Sequence, residues 1–383
     1  MASICFVGMD NYPVLNPRAG GDYFGGESVQ QTLLARAYVA AGWDVHMVVK
    51  SHGQPTREVI DGIQVHTAFD ERAGLPVVRF VHPRMTGIFA ALTAADADVY
   101  YQSCAGMITG LCAWFARRHD RRFVFRVAHD TDCIPGQQLI RFWRDRKLYE
   151  YGLRHADFIA AQGQHQQALL RQHYDLASTP IHMAVELPRE PLDGPRDIDV
   201  LWVNNLRAFK RPEWVPVLAA ALPGHEVTMI GGAVPGNEAL FASVQAEATR
   251  IPTLQMLGAV PYHEVNGYFS RAKVFVNTSE SEGFPNSFLQ AWIRGVPVVS
   301  FFDPDGLISR HGLGIAVSGD AQQMAIALRD LLADTERLRE MAQRCRKFAL
   351  AHYAPAAVVD RYVGCGATPL VARDASPVSA SAT

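Results

Sequence analysis

Apolar runs rich in Val, Ile and Phe alternate along the chain with stretches whose apolar residues recur at helical spacing. This βαβα alternation predicts parallel sheets flanked by helices. In the first half the predicted strands are Ile4–Gly8, Asp44–Val49, Asp98–Tyr101, Phe123–Val127 and Phe158–Ala161. Residues 186–198 then bring three prolines and a run of charges with no apolar period, the composition of a linker. The alternation restarts with strands at Val200–Val203, Val227–Ile230, Val274–Asn277 and Pro297–Ser300, and with helices from Pro212, near Asn237–Thr249 and over Pro285–Arg294. Two further helices are expected at about 320–334 and 336–351, and one more at Pro355–Val363.

This pattern divides the chain into a first α/β domain over 1–185, a linker over 186–198 and a second α/β domain over 199–352. A C-terminal helix over 353–365 returns to the first domain, and a disordered tail of Ala, Ser, Pro and Val occupies 366–383. Two such units face each other across a cleft at the carboxyl edges of their sheets, where open α/β folds place their ligands.

Composition narrows the function. Hydrophobic residues are 49% and charged residues 19% of 383, which suits packed cores. The 36 basic and 38 acidic residues leave a net charge of −2, so no bulk field grips nucleic acid. The six cysteines form no C-x-x-C pair and read as reduced thiols of a cytoplasmic protein. Residues 1–8 read as a strand and not a signal peptide, and the apolar stretch Ala105–Ala116 is too short to span a bilayer.

Three segments carry the candidate chemistry. The first is Gly25-Gly26-Glu27-Ser28, which opens a helix with Val29, Leu33, Ala37 and Tyr38 as its apolar face. Its glycines allow close backbone approach, and the free N–H groups favour a phosphate; the plainer reading is that Gly-Gly only ends a loop. The second is Asn204-Asn205-Leu206-Arg207-Ala208-Phe209-Lys210-Arg211, where Arg207, Lys210 and Arg211 cluster at a strand's carboxyl end and could neutralise a diphosphate. An exposed basic turn is the alternative. The third runs from Thr278 through Glu282-Gly283-Phe284-Pro285-Asn286 to Gln290. There Glu282 and the N–H groups of 283–286 could bind the hydroxyls of one small molecule, or act simply as helix capping.

Together these segments resemble the retaining glycosyltransferases of family 4, over about residues 3–365. The resemblance implies the GT-B fold, two Rossmann-like domains across a central cleft. Its strongest match is Glu282-Gly283-Phe284-Pro285 through Gly295-Val296-Pro297-Val298-Val299. It implies that Glu282 contacts donor-sugar hydroxyls and that Gln290, where the family has a second glutamate, contacts the ribose. Lys210 matches the family's diphosphate lysine, whereas Asn205 replaces its arginine, which leaves Arg207 or Arg211 to compensate. Gly25 and Gly26 match the phosphate-facing glycine loop, His129 the histidine beside the donor sugar, and Leu257–Val260 the loop bracketing the base.

The resemblance implies a nucleotide-sugar co-substrate, retention of configuration and no metal. The three-residue patterns Asp130-Thr131-Asp132 and Asp303-Pro304-Asp305 are therefore read as chance, the second as a turn. Between 111 and 155, ten basic residues stand against five acidic ones, interleaved with Leu139, Phe142 and Trp143. That mix fits peripheral contact with an anionic membrane or a polyprenyl-diphosphate-linked acceptor, and equally an ordinary core helix with solvated arginines. A saccharide acceptor, a nucleotide-sugar epimerase on the same fold and a non-catalytic sugar-nucleotide-binding protein are the competing readings.

Overall fold

The computed structural model describes residues 1–16, 18, 25–75, 78–188, 192–280 and 284–369, with the side chains of 262 and 263 left aside. The first lobe runs β1 (Ser3–Val7), α1 (Tyr12–Leu15), α2 (Gly26–Ala40), β2 (Asp44–Val49), β3 (Arg57–Ile60), β4 (Ile63–Thr67) and α3 (Thr86–Ala95). It continues with β5 (Val99–Ser103), α4 (Met107–Arg118), β6 (Arg122–Arg126), α5 (Trp143–Arg154), β7 (Phe158–Ala161), α6 (Gln164–Tyr174) and β8 (Thr179–Pro180). The second lobe runs β9 (Ile198–Val203), α7 (Trp214–Ala220), β10 (Val227–Ile230), α8 (Glu238–Ala248), β11 (Leu254–Gly258), α9 (Tyr262–Arg271), β12 (Ala272–Asn277) and α10 (Asn286–Ile293). It closes with β13 (Val298–Ser300), α11 (Leu307–His311), β14 (Gly314–Ala316), α12 (Ala321–Ala333), α13 (Thr335–Tyr353) and α14 (Pro355–Gly364).

The first sheet has the order β3-β4-β2-β1-β5-β6-β7-β8 and the second β11-β10-β9-β12-β13-β14. All pairings are parallel except β3 with β4. Both sheets are buried on two faces, which is why their strands read as near-continuous apolar runs. Ile4 and Phe6 of β1 point to one core with Leu34 and Tyr38 of α2, while Cys5 and Val7 point to the other with α3, α4 and α5. The same division separates Leu201 from Val200 and Trp202 in β9.

In each sheet the first strand lies between two parallel partners, β1 between β2 and β5, and β9 between β10 and β12. The connections therefore leave in opposite directions at β1/β5 and β9/β12, and these switch points open a crevice at the carboxyl edges. The loops after β9 and β12 are the second and third candidate segments.

The chain crosses between lobes after β8 and returns after α13. The backbone N–H of Val185 donates to the Tyr353 carbonyl at 2.9 Å, joining the two crossings. Val358, Val359 and Tyr362 of α14 are buried in the first lobe's core, and the Tyr362 hydroxyl lies 3.4 Å from that of Tyr101. The edge strand β3 and the strands β11 and β14 are short and half-exposed and carry no clear signal in the sequence. The tail beyond residue 369 lies outside the described residues. All six cysteines are free.

Candidate active site

Helix α2 starts at Gly26 with Gly25 extended before it (φ −69°, ψ 141°). A Cβ on Gly26 would stand 2.7 Å from Nδ2 of Asn286, the first residue of α10 in the other lobe. That Nδ2 donates to the Gly26 carbonyl at 3.2 Å, and Oδ1 accepts from Nε2 of Gln30 at 3.0 Å. Gln30 also donates to the Ala184 carbonyl in the crossing at 3.0 Å. The glycine turn and the start of α10 in the third segment thus meet across the cleft, so that two helix N-termini lie side by side there.

The second and third segments are joined within their own lobe. Thr278 accepts from Trp202 Nε1 at 2.9 Å and donates its hydroxyl to the Lys210 carbonyl at 2.7 Å. The Glu280 N–H donates to the Phe209 carbonyl at 3.2 Å. This binds the turn Ala208–Lys210, capped by half-buried Arg207, to the end of β12, and Lys210 Nζ lies 5.1 Å from the Phe209 ring centroid. Arg211 Nε meets Glu213 at 2.5 Å and its Nη1 meets Glu280, so two carboxylates already hold its charge. The half-buried Asn205 gives its carbonyl to the Arg207 N–H at 2.9 Å.

Gln290 donates to Asn266 of α9 at 3.1 Å, and Asn266 donates to Glu186 at 3.4 Å, so Gln290 faces the helix that follows the half-buried Val260. Phe284 packs against Trp292 and Tyr353, with ring centroids 6.2 and 5.8 Å away, and Pro285 caps α10. Glu282 and Gly283 lie outside the described residues.

His129 is exposed just beyond the carboxyl end of β6. Its backbone N–H donates to the buried carboxylate of Asp132 at 3.0 Å. Burial raises the Asp132 pKa above the usual carboxylate range, against the lowering effect of that hydrogen bond. Asp130 accepts from Gln166 at 3.0 Å, Asp303 caps Ile308 at 2.8 Å, and Asp305 accepts from the Gln164 N–H of the first lobe at 3.0 Å. Among the described residues no group of three His, Cys, Asp or Glu side chains converges to hold a metal.

Sequence reasoning missed three contributors. Arg126, only 2% exposed, makes two bonds to Glu27 in the first turn of α2, at 2.9 and 3.1 Å. An arginine inside the apolar run Phe123–Val127 was the available signal, because a buried charge needs a partner. Gln30 lies off the apolar face that the helical spacing predicts, whereas Gln30, Gln31, Leu34 and Ala35 are all buried and Leu33 is only half-buried. Asp305 sits in a sequence typical of a turn, and its contact with the other lobe has no local signature.

Residues 25–186 match the glycosyl transferase 4-like domain, and residues 201–334 match glycosyl transferases group 1. The chain carries group 1 glycosyltransferase family domains. Its fold is GT-B, and solved structures superimpose over nearly all of the chain. Sucrose-phosphate synthase from Thermosynechococcus elongatus aligns with a TM-score of 0.72 and 18% identity, over 95% of this chain and 98% of that one. Anabaena HepE, solved with UDP and glucose, aligns at 0.74 and 16%, over 95% and 99%. The lipopolysaccharide core biosynthesis glycosyltransferase LpsE of Rhizobium meliloti is 29% identical over 103 residues, which span 25% of this chain and 29% of LpsE.

Proposed function

We propose that this protein transfers a sugar from a nucleotide-sugar donor to a saccharide or lipid-linked acceptor, with retention of configuration. The observation that carries this reading is the meeting of Gly26 and Asn286 across the cleft, beside a second lobe whose Lys210 turn is bound to the strand leading into the third segment. The family domains support the reaction class, and the HepE structure in complex with UDP-glucose supports a UDP-sugar as the first donor to try.

Breaking the donor's glycosidic bond builds negative charge on the diphosphate and positive charge on the ring. In this reading Lys210, Arg207 and the start of α2 take the diphosphate charge without a metal, and because they are held in place before reaction they need little reorganisation. Glu282 and His129 hold the sugar from its two sides, and Gln290 and Val260 border the nucleoside. The acceptor attacks from the leaving-group face. The setting is the cytoplasmic side of a membrane, with peripheral contact through the first lobe.

A panel of nucleotide sugars, incubated with and without a lipid-linked acceptor, tests the reaction class. Acceptor-dependent nucleotide release is expected; acceptor-free isomerisation would identify an epimerase, and binding without turnover a non-catalytic protein. Glu282→Ala should reduce transfer sharply while leaving folding intact, and full activity in that variant would remove the residue from the site.

A further inference from the structure

The basic, aromatic stretch 111–155 does not fold into one surface. Arg117 and Arg118 close α4, and Arg121 pairs with Asp96 and Asp98 at 2.7 and 3.3 Å, at the amino edge of the first sheet. Arg126 is buried against Glu27. What remains exposed at the carboxyl edge is the segment 139–147, and a second segment joins it. The Arg144 guanidinium carbon lies 3.5 Å from the centroid of the Phe80 ring, which brings 78–84 alongside. These segments lie in the connections that leave β4 and β6, two parallel strands, at their carboxyl ends. They therefore stand on the same edge as Gly26 and His129.

This surface has an unusual composition. Leu139 is 80% exposed, Trp143 77%, Phe142 53%, Val78 51% and Val81 49%. Apolar residues exposed singly are ordinary, but five on adjoining segments mark an interaction face. The same two segments hold Arg79, Arg84, Arg141, Arg144, Arg146 and Lys147, with Asp145 as the one acid. Arg144 already holds that carboxylate at 2.8 Å.

We propose that segments 78–84 and 139–147 form a docking face for an anionic lipid bilayer, from which the acceptor reaches the cleft; the acceptor half of this statement rests on the transfer reading above. Trp143, Phe142 and Leu139 enter the headgroup boundary while the exposed Arg79 and Arg141 meet lipid phosphates. A second copy of the chain using the same face would set cations against cations, whereas an anionic bilayer complements them.

Flotation of the full chain tests this, using vesicles of phosphatidylcholine alone or mixed with phosphatidylglycerol. The chain is expected to float with the mixed vesicles only, and to lose binding as salt rises. Two double variants, Leu139→Ser with Trp143→Ser and Arg79→Glu with Arg141→Glu, should each reduce flotation by about tenfold or more. Absence of lipid-dependent flotation, flotation unchanged in both variants, or patch-dependent dimers in sedimentation in place of vesicle binding would overturn the docking face. Calorimetric binding of UDP-glucose to the same preparations separates the two readings. Donor binding without flotation overturns the docking face and keeps the transfer reading; flotation with no binding of any nucleotide sugar in the panel keeps the face and overturns transfer.

Discussion

The side-chain amide of Gln30 in α2 donates to Oδ1 of Asn286 in α10 at 3.0 Å, so this side-chain pair links the glycine-led helix of one lobe to the third segment of the other. Because Gln30 also holds the Ala184 carbonyl and Asn286 the Gly26 carbonyl, both lobes and the crossing meet at this one point.

Asn286→Ala and Gln30→Ala should each lower kcat/KM for the donor by about three- to tenfold, the equivalent of one hydrogen bond of about 0.5–1.5 kcal/mol. Thermal stability should change little, and small-angle scattering should show a larger radius of gyration. Unchanged scattering and kinetics in both variants would make the contact incidental.

Lys210 and Arg211 are neighbours with opposite expectations. Lys210→Ala should cut kcat by about 10²–10³-fold if its ammonium stabilises the leaving diphosphate. Arg211→Ala should cost far less, because Glu213 and Glu280 already hold that guanidinium. Steady-state kinetics with a saturating acceptor decide the order, and equal losses would contradict it.

Arg126 and Glu27 should behave as one unit. Glu27→Ala leaves a buried guanidinium unpaired and should destabilise the fold by about 3–5 kcal/mol, whereas replacing both partners with apolar residues should cost less than the sum of the single changes. Urea unfolding of the two single variants and the double variant completes the cycle. Additive losses would show that the pair has no coupling.

Two histidines set an acid limit on stability. Burial foremost, with His46 and Arg57 adding repulsion, lowers the His66 pKa to about 4. Burial beside Arg361 and His352 lowers that of His182 to about 4 as well. Unfolding frees both to titrate near the ordinary value of about 6.5, so their contribution is complete above that pH and is lost as pH falls toward about 4. Urea midpoints measured from pH 7 down to pH 4.5 should fall, and His66→Phe with His182→Phe should flatten the slope. An unchanged slope would assign the acid sensitivity elsewhere.

Gly163 and Asp305 form a second contact between lobes. A Cβ on Gly163 would collide with Asp305 Oδ2, which accepts the Gln164 N–H. Gly163→Ala should therefore disturb the lobe contact as Asp305→Ala does, and scattering with donor titration should show both variants shifted the same way. A Gly163→Ala protein identical to the parent would place Asp305 outside the contact.

The alternating apolar runs by themselves determined two parallel α/β lobes, because strands buried on both faces leave little room for polar residues. They also placed the glycine turn, the Arg207–Lys210 turn and the helix of Asn286 and Gln290 at strand ends, since local turn and capping chemistry is written in short segments. Only the tertiary structure decided which of these meet. Gln30 reaching Asn286 and Asp305 reaching the start of α6 join residues 256 and 141 positions apart, and such distant pairings depend on how the lobes dock. The same holds for the basic stretch 111–155, whose charges are contiguous in the chain but separate in space, because α4 runs from the carboxyl edge of its sheet to the amino edge and leaves its arginines at the far end.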